Sequence, residues 1–303
     1  MDNSIVSKHL GQTSQYKSTY DPSLLVKEPR RSNRVHLGLV DDNLPFVGYD
    51  VWNAYEVSCL LKNGVPIAAY AKIVYPCNNL YIVESKSLKL YLNSFNMYPM
   101  GDTVAEALVN LEVVISNDLS DLLGVTVHVS LYDASLAMQN RPSTVSLAIE
   151  DIHVYKTLET IVDTSALKTN TYTEDRNLLQ WATSEVQTVQ AYHSALLKSN
   201  CRVTGQPDWG DVYIKIVSNK IVDPASLLKY IISFRGENHF HEEIIETIYR
   251  RLDSAIAPTQ LLVQGLYVRR GGIDINPVRA SAEGLIFGPF VKSNCGCIQT
   301  NRQ

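Results

Sequence analysis

Apolar positions along the chain keep one period for a stretch, change to another, and then run through the same series again. In the first half VWNAYEVSCLL is strand-like, and VESK (83 to 86) leads into SLKLYLNSF (87 to 95). After a bend with Gly, Pro and Asn, TVAEALVNLEVVIS spaces its apolar residues as a helix does. A DLSDLLG turn then precedes VTVHVSLY (125 to 132), which alternates with the period two of a strand. The second half offers strand-like DWGDVYIKIV, SLLKYIISF (226 to 234), RGENHF, helical HEEIIETIYRRLDSA and LLVQGLYV (261 to 268). Setting Tyr91 on Tyr230 brings Ser94 onto Ser233 and Phe95 onto Phe234, while VWNAYEVSCLL and DWGDVYIKIV each open at an Asp and Trp pair. The pattern predicts an α+β fold of two modules, each strand, strand, helix, helix, strand, strand, with antiparallel strands on one face and helices on the other. Residues 1–45, polar and without a sustained period, read as an arm. Residues 46–150 form the first module, 151–195 a connecting segment, 196–279 the second module, and 280–303 an extension, with VSLAIEDIHVY (145 to 155) supplying a last strand where the first module runs into the connection.

Composition changes this picture little. With 303 residues, 45% hydrophobic and 19% charged, the chain can bury a sizeable core. The amino terminus lacks an apolar targeting segment, and VPIAAYAKIVYP is too short to span a bilayer and is broken by Lys72, so neither secretion nor membrane insertion is expected. Five cysteines (59, 77, 201, 295, 297) without framework spacing fit free thiols in a reducing cytoplasm. A net charge of -4 provides no global basic field, so nucleic-acid binding would need a local patch from Arg30, Arg31 and Arg34, Arg250 and Arg251, or Arg269 and Arg270.

Candidate chemistry concentrates in a few runs. SNCRVTGQPDWGD (199 to 211) sets Cys201 seven positions before Asp208. If the turn through Gly205 and Pro207 folds back, Asp208 can act as base toward the thiol and later return the proton. The alternative, a loop cysteine packed on Trp209 with Asp208 capping a turn, stays open. In HFHEE (239 to 243) the two histidines stand at i and i+2, which do not face each other on a helix, so no metal site is expected. A carboxylate and an imidazole near Phe240 instead suit a planar heterocycle. VESKSLK suits an anion if it opens a helix whose N–H groups join Lys86, or it is a solvated helix start. YVRRGGIDINP (267 to 277) combines arginine forks with an approachable backbone, or is an edge turn. No G-x-G-x-x-G follows a strand, which speaks against a Rossmann site, and C-x-C (295 to 297) is a weak signal in the tail. Only the first copy carries VESK, and only the second carries Cys201, Asp208 and HFHEE, which predicts a composite site at a module interface.

ESKSLKLYLNSF, SNCRVTGQPDWG, FHEE and RRGGIDINP, together with YDPSLL and LGLVDDNLPFVGYDVW, resemble the NADPH-dependent 7-cyano-7-deazaguanine reductases of queuosine biosynthesis in their long form, over about residues 15 to 279. The resemblance implies tandem tunnelling-fold modules, a cytoplasmic homodimer, and reduction of a nitrile to a primary amine with two NADPH and no metal. On that basis Cys201 adds to the nitrile carbon as a thioimide and Asp208 donates the proton. Val83, Glu84, Ser85, Phe240, His241 and Glu242 hold the deazaguanine, and Ser85, Lys86, Arg270 and Gly271 contact NADPH. Cys59 stands where the family carries tryptophan, with slightly looser packing expected in the first module, and residues 280–303 have no family reading. Two other classes remain to be distinguished. A cysteine hydrolase would convert a nitrile or amide without NADPH, and a purine- or pterin-binding module would use Glu84 and Glu242 but not Cys201 or Asp208.

Overall fold

Alternating apolar residues build long strands, and helical stripes cover one side of them. The computed structural model describes residues 17–135 and 154–292. The first half runs β1 (Lys27–Pro29), α1 (Arg31–His36), β2 (Val47–Leu61), β3 (Pro66–Pro76), β4 (Tyr81–Val83), α2 (Ser85–Ser94), β5 (Pro99–Gly101), α3 (Val104–Leu123) and β6 (His128–Asp133). The second runs β7 (Lys156–Thr157), α4 (Leu158–Ile161), β8 (Trp181–Asn200), β9 (Pro207–Val222), α5 (Pro224–Ser233), α6 (His241–Ile256), β10 (Gln260–Tyr267) and β11 (Ile273–Ala280), with α7 (Gly288–Val291) beyond. Among the described residues the main sheet has nine strands in the order β6-β3-β2-β11-β10-β9-β8-β7, with β5 joined to β2. Its ladders are antiparallel except the short β7–β8 and β2–β5 pairs. The first strand of one half and the last of the other meet at β2–β11, from Ile273 opposite Ala54 to Ala280 opposite Val47.

The expected order of strand, strand, helix, helix, strand, strand is complete from β8 to β11. In the first half, VSLAIEDIHVY lies outside the described residues except for Val154 and Tyr155. Three local readings change. β9 leads into α5 as β3 leads into α2 through β4, so the counterpart of β9 is β3, and the Asp–Trp pairs of VWNAYEVSCLL and DWGDVYIKIV are not equivalent. β8 begins at Trp181, well inside the segment expected to connect the modules. DLSDLLG is helix rather than turn, because Leu111, Ile115, Leu119 and Leu123 continue one buried stripe at i+4 until Gly124 ends it in the left-handed conformation.

Two cores fill the helix side of the sheet. Trp52, Ile73 and Tyr75 pack with Leu88, Tyr91, Ile115 and Leu119 in the first half, where Cys59 is fully enclosed and burial pushes its thiol up to about 11. Ile214, Ile216 and Val263 pack with Leu227, Ile231, Ile245 and Ile248 in the second. The alternate residues Val51, Val74, Leu262, Leu266 and Val278 face the other way. There Ile286 with Leu285, Phe287 and Val291 packs over them, so the extension docks on the chain's own sheet.

The arm is fastened by buried charge. Arg30 pairs with Asp50, and Arg34 donates from Nε to Glu246 Oε2 at 3.0 Å and from Nη2 to Glu246 Oε1 at 2.8 Å. Arg279 Nη2 lies 2.9 Å from Asp50 Oδ1 and donates to Glu246 Oε1 at 3.0 Å. Burial opposes ionisation of Glu246, and the three arginines overcome it, holding its carboxyl at about 2. Arm, β2, β11 and α6 are thereby tied at one point.

Candidate active site

β8 and β9 end side by side, Ser199 opposite Asp208 and Asn200 opposite Pro207, and Cys201 is the first residue beyond this ladder. Its N–H donates to Gln206 O at 2.7 Å and its carbonyl accepts from Gly205 N at 3.0 Å, closing a turn over residues 201–206. Gly205 sits at φ 67, which a side chain would strain. The turn directs the N–H groups of Val203 and Thr204 and the Thr204 hydroxyl at the sulfur. Burial alone would push the Cys201 thiol up. These donors and the Arg270 guanidinium outweigh it and hold the thiol below its ordinary value. Folding thus brings Cys201 and Asp208 to the same end of one hairpin, as the turn through Gly205 and Pro207 required.

Asp208 is 3% exposed. Arg270 Nε lies 3.0 Å from its Oδ1, and Arg270 Nη1 donates to Gln206 Oε1 at 3.0 Å. His241, the first residue of α6, reaches the same Oδ1 with Nε2 at 3.4 Å. Its ring lies flat on Tyr267, with centroids 3.8 Å apart and planes 2° from parallel. Imidazole and phenol therefore form a flat wall beside the carboxylate.

Glu242 follows on the buried side of α6. Burial first, and the negative Asp50 second, push its carboxyl up to about 8, against the pull of Arg30 and Arg279. Among the described residues those arginines and Arg34 form ion pairs with Asp50, Glu246 and Asp41 and none with Glu242. Its Oε1 has no hydrogen-bond partner among the described residues. Tyr75 of β3 is close to both Glu242 and the Val83 backbone, which links the second module's helix to the end of β4. Glu84 follows Val83 and caps α2, accepting from Lys86 N at 2.9 Å and Ser87 N at 2.6 Å. These N–H groups are filled by the chain's own carboxylate, which favours the capped helix start over the anion site, the two readings the sequence left open. A second bridge crosses the module boundary nearby. Glu28 lies close to Glu84, Arg202 and Glu243, and Arg202 Nη1 donates to Glu243 Oε1 at 2.6 Å with its guanidinium 5.9 Å from the Phe240 ring centroid.

Ser85 is exposed and Lys86 half-buried at the start of α2. Gly271 and Gly272, at φ 58 and φ 78, turn the chain from β10 into β11. A β-carbon on Gly271 would stand 3.0 Å from Lys89 Nζ, so α2 and this turn meet. Tyr55, Glu56, Lys89, Gly271 and Gly272 line a cleft of about 260 Å³ there. Lys89, 3.5 Å from Glu56 Oε2, and bare glycine backbone line the cleft, with Lys86 on the same helix and Arg270 at the head of the turn, a donor set that fits an anionic dinucleotide. Sequence reasoning missed Thr204, Gln206 and Tyr267. The signal for the first two was in SNCRVTGQPDWGD itself, since a closed turn must place Thr204 over the sulfur.

The two histidines of HFHEE diverge, His239 toward Glu237 and Glu243 and His241 toward Asp208. Burial would lower the His239 value, but its two carboxylate partners raise it. Most of the arginines named above are paired with acids. Arg30 and Arg34 are buried in ion pairs, Arg250 pairs with Asp253, and Arg251 pairs with Glu174. Cys295 and Cys297 lie outside the described residues.

Residues 16–131 match the family described as nitrile reductase, 7-cyano-7-deazaguanine-reductase N-term, and residues 207–284 match the family described as QueF-like protein. Proteins named NADPH-dependent 7-cyano-7-deazaguanine reductase are similar along nearly the whole chain. The one from Cupriavidus metallidurans is 42% identical over 274 residues, 90% of this chain and 92% of that one. Those from Coxiella burnetii and Aromatoleum aromaticum are 40% and 39% identical, covering 90% and 92% of this chain and 91% and 93% of theirs.

Proposed function

The chain belongs to the NADPH-dependent 7-cyano-7-deazaguanine reductases, and from that premise we propose that Cys201 and Asp208 are the pair through which it reduces the nitrile of 7-cyano-7-deazaguanine to the primary amine. What carries the reading is the thiol held below its ordinary value at the end of the same hairpin that presents a buried carboxylate. A nitrile accepts hydride poorly. The thiol proton passes to Asp208, the sulfur bonds to the nitrile carbon, and Asp208 returns the proton to nitrogen. Sulfur and hydrogen have then added across the triple bond to give a thioimide. NADPH, when bound, supplies hydride, and the change from nitrile to amine takes two such equivalents. Lys86, Lys89, Arg270 and Gly271 are the residues that would hold it, with Ser85 beside them.

The remaining residues orient the ligand. Glu242 carries an unpartnered oxygen, which the N–H donors of a guanine-like ring edge complete. His241 on Tyr267 offers a flat face to the ring, with Phe240 beside it, and Val83 and Glu84 close the first-module side. The burial of Asp208, His241 and Glu242 supports a site that limits loss of the imine to water between the two reductions. We further infer a homodimer in the cytoplasm. Among the described residues β8 is paired on its outer side only by two-residue β7, Val186 and Val189 are 67% and 69% exposed, and Cys59, Cys77 and Cys201 are free thiols.

The test is NADPH oxidation started by the nitrile, with product identified by mass. Two NADPH consumed per amine formed is the expected result. An acid or amide formed without NADPH would replace this reading with that of a hydrolase.

A further inference from the structure

Arg270 meets three residues of the site at once. Its Nε lies 3.0 Å from Asp208 Oδ1, its Nη1 donates to Gln206 Oε1 at 3.0 Å, and the guanidinium is close enough to the Cys201 sulfur to help hold its thiol below the ordinary value. Two other groups face Asp208: His241 Nε2 lies 3.4 Å from the same Oδ1, and the Asp208 charge reaches the Lys198 ammonium. Arg202 is held by Glu243, and the Lys198 ammonium donates to Asn200 Oδ1 and, at 2.9 Å, to Arg235 O. Asp208 Oδ1 has no aligned hydrogen-bond donor, so its contact with Arg270 is one of charge, and the fork is shared between the two groups.

Resting on the roles given above to Cys201 and Asp208, we propose that Arg270 is a positioning residue, the shared counter-ion for proton exchange between the Cys201 thiol and the Asp208 carboxylate, with Gln206 holding it in place. In that exchange the S–H bond breaks, an O–H bond forms on Asp208, and one negative charge moves from oxygen to sulfur. A cation touching only Asp208 would oppose the transfer by stabilising the initial charge alone. A cation touching both groups accompanies the charge without having to move, as preorganised electrostatics requires. This role is separate from any hold on the cofactor, because addition of the thiol to the nitrile comes before hydride and needs no NADPH. Arg270 is 35% exposed, so replacing it leaves no cavity in the core.

The experiment follows the rate at which the full chain forms a covalent adduct with 7-cyano-7-deazaguanine in the absence of NADPH, by intact mass, for wild type, Arg270→Gln, Arg270→Lys and Gln206→Leu. Arg270→Gln is expected to slow adduct formation at pH 7 by about tenfold, equivalent to one unit in the thiol ionisation. Arg270→Lys recovers part of the rate, and Gln206→Leu falls between wild type and Arg270→Gln. Alkylation of Cys201 by iodoacetamide shifts its pH midpoint upward in Arg270→Gln, a change that a merely structural role would not produce. If Arg270→Gln loses NADPH-dependent turnover but keeps its NADPH-free adduct rate and alkylation profile, the proposal is overturned and Arg270 serves the cofactor alone. If wild type forms no adduct, the covalent reading fails instead, and the alkylation midpoint alone decides for or against Arg270.

Discussion

Replacing Glu242 by glutamine should make the protein more stable at neutral pH while impairing its ligand site. In the fold the carboxyl is pushed from 4.5 up to about 8 because it is buried without a cation of its own. The unfolded chain ionises it freely. Since the folded value lies above the unfolded one, the stability this group contributes is complete below about pH 4.5 and is lost as pH rises through about 8. At about 1.4 kcal/mol per unit, the loss is on the order of 3 kcal/mol at pH 7 and about 5 kcal/mol above pH 8. Glu242→Gln removes it by keeping the side chain neutral. The assay is urea denaturation of both proteins at pH 4.5, 7 and 8.5. The difference between them should be near zero at the first, about 3 kcal/mol in favour of the variant at the second, and larger at the third. A difference that does not change with pH, or one that favours wild type at pH 8.5, refutes the reasoning.

The same carboxyl should govern ligand affinity. In a Cys201→Ala background, affinity for the nitrile should rise roughly fivefold from pH 7 to pH 8 as Glu242 ionises, and Glu242→Gln should bind more weakly without that slope, measured by calorimetry. Breaking the buried ion cluster with Glu246→Gln should cost about 3–5 kcal/mol in urea unfolding, because Arg34 and Arg279 lose their shared acceptor. Truncation after Ala280 should uncover the face under Ile286 and Phe287. A lower melting temperature, about 3 kcal/mol of lost stability and new binding of a hydrophobic dye are expected.

α2, α5, α6 and most of α3 were legible because their apolar residues keep a clean period, while the last turns of α3 were read as a turn. β8 was not, since WATSEVQTV at its outer end is exposed on both faces and shows no alternation. The supposed match of Asp50–Trp52 with Asp208–Trp209 failed because an acid and an aromatic suit the start of either strand of a hairpin, and local letters do not say which. The nearness of Cys201 to Asp208 was legible because one short turn joins them. Charge gave the opposite result. Arg30 and Arg34 looked like surface residues, and their burial depends on Glu246, which is 212 residues from Arg34 and has no local signature. The state of Glu242 was equally invisible, because it follows from a balance of charges drawn from four separate elements.

The central claim is that Cys201 forms a bond to the nitrile carbon. Peptide mass spectrometry of the protein incubated with 7-cyano-7-deazaguanine alone tests it most directly. The predicted result is an adduct with the full mass of the nitrile on the peptide containing Cys201, absent from Cys201→Ala together with turnover. No adduct on that peptide, or full NADPH-dependent turnover by Cys201→Ala, would contradict it.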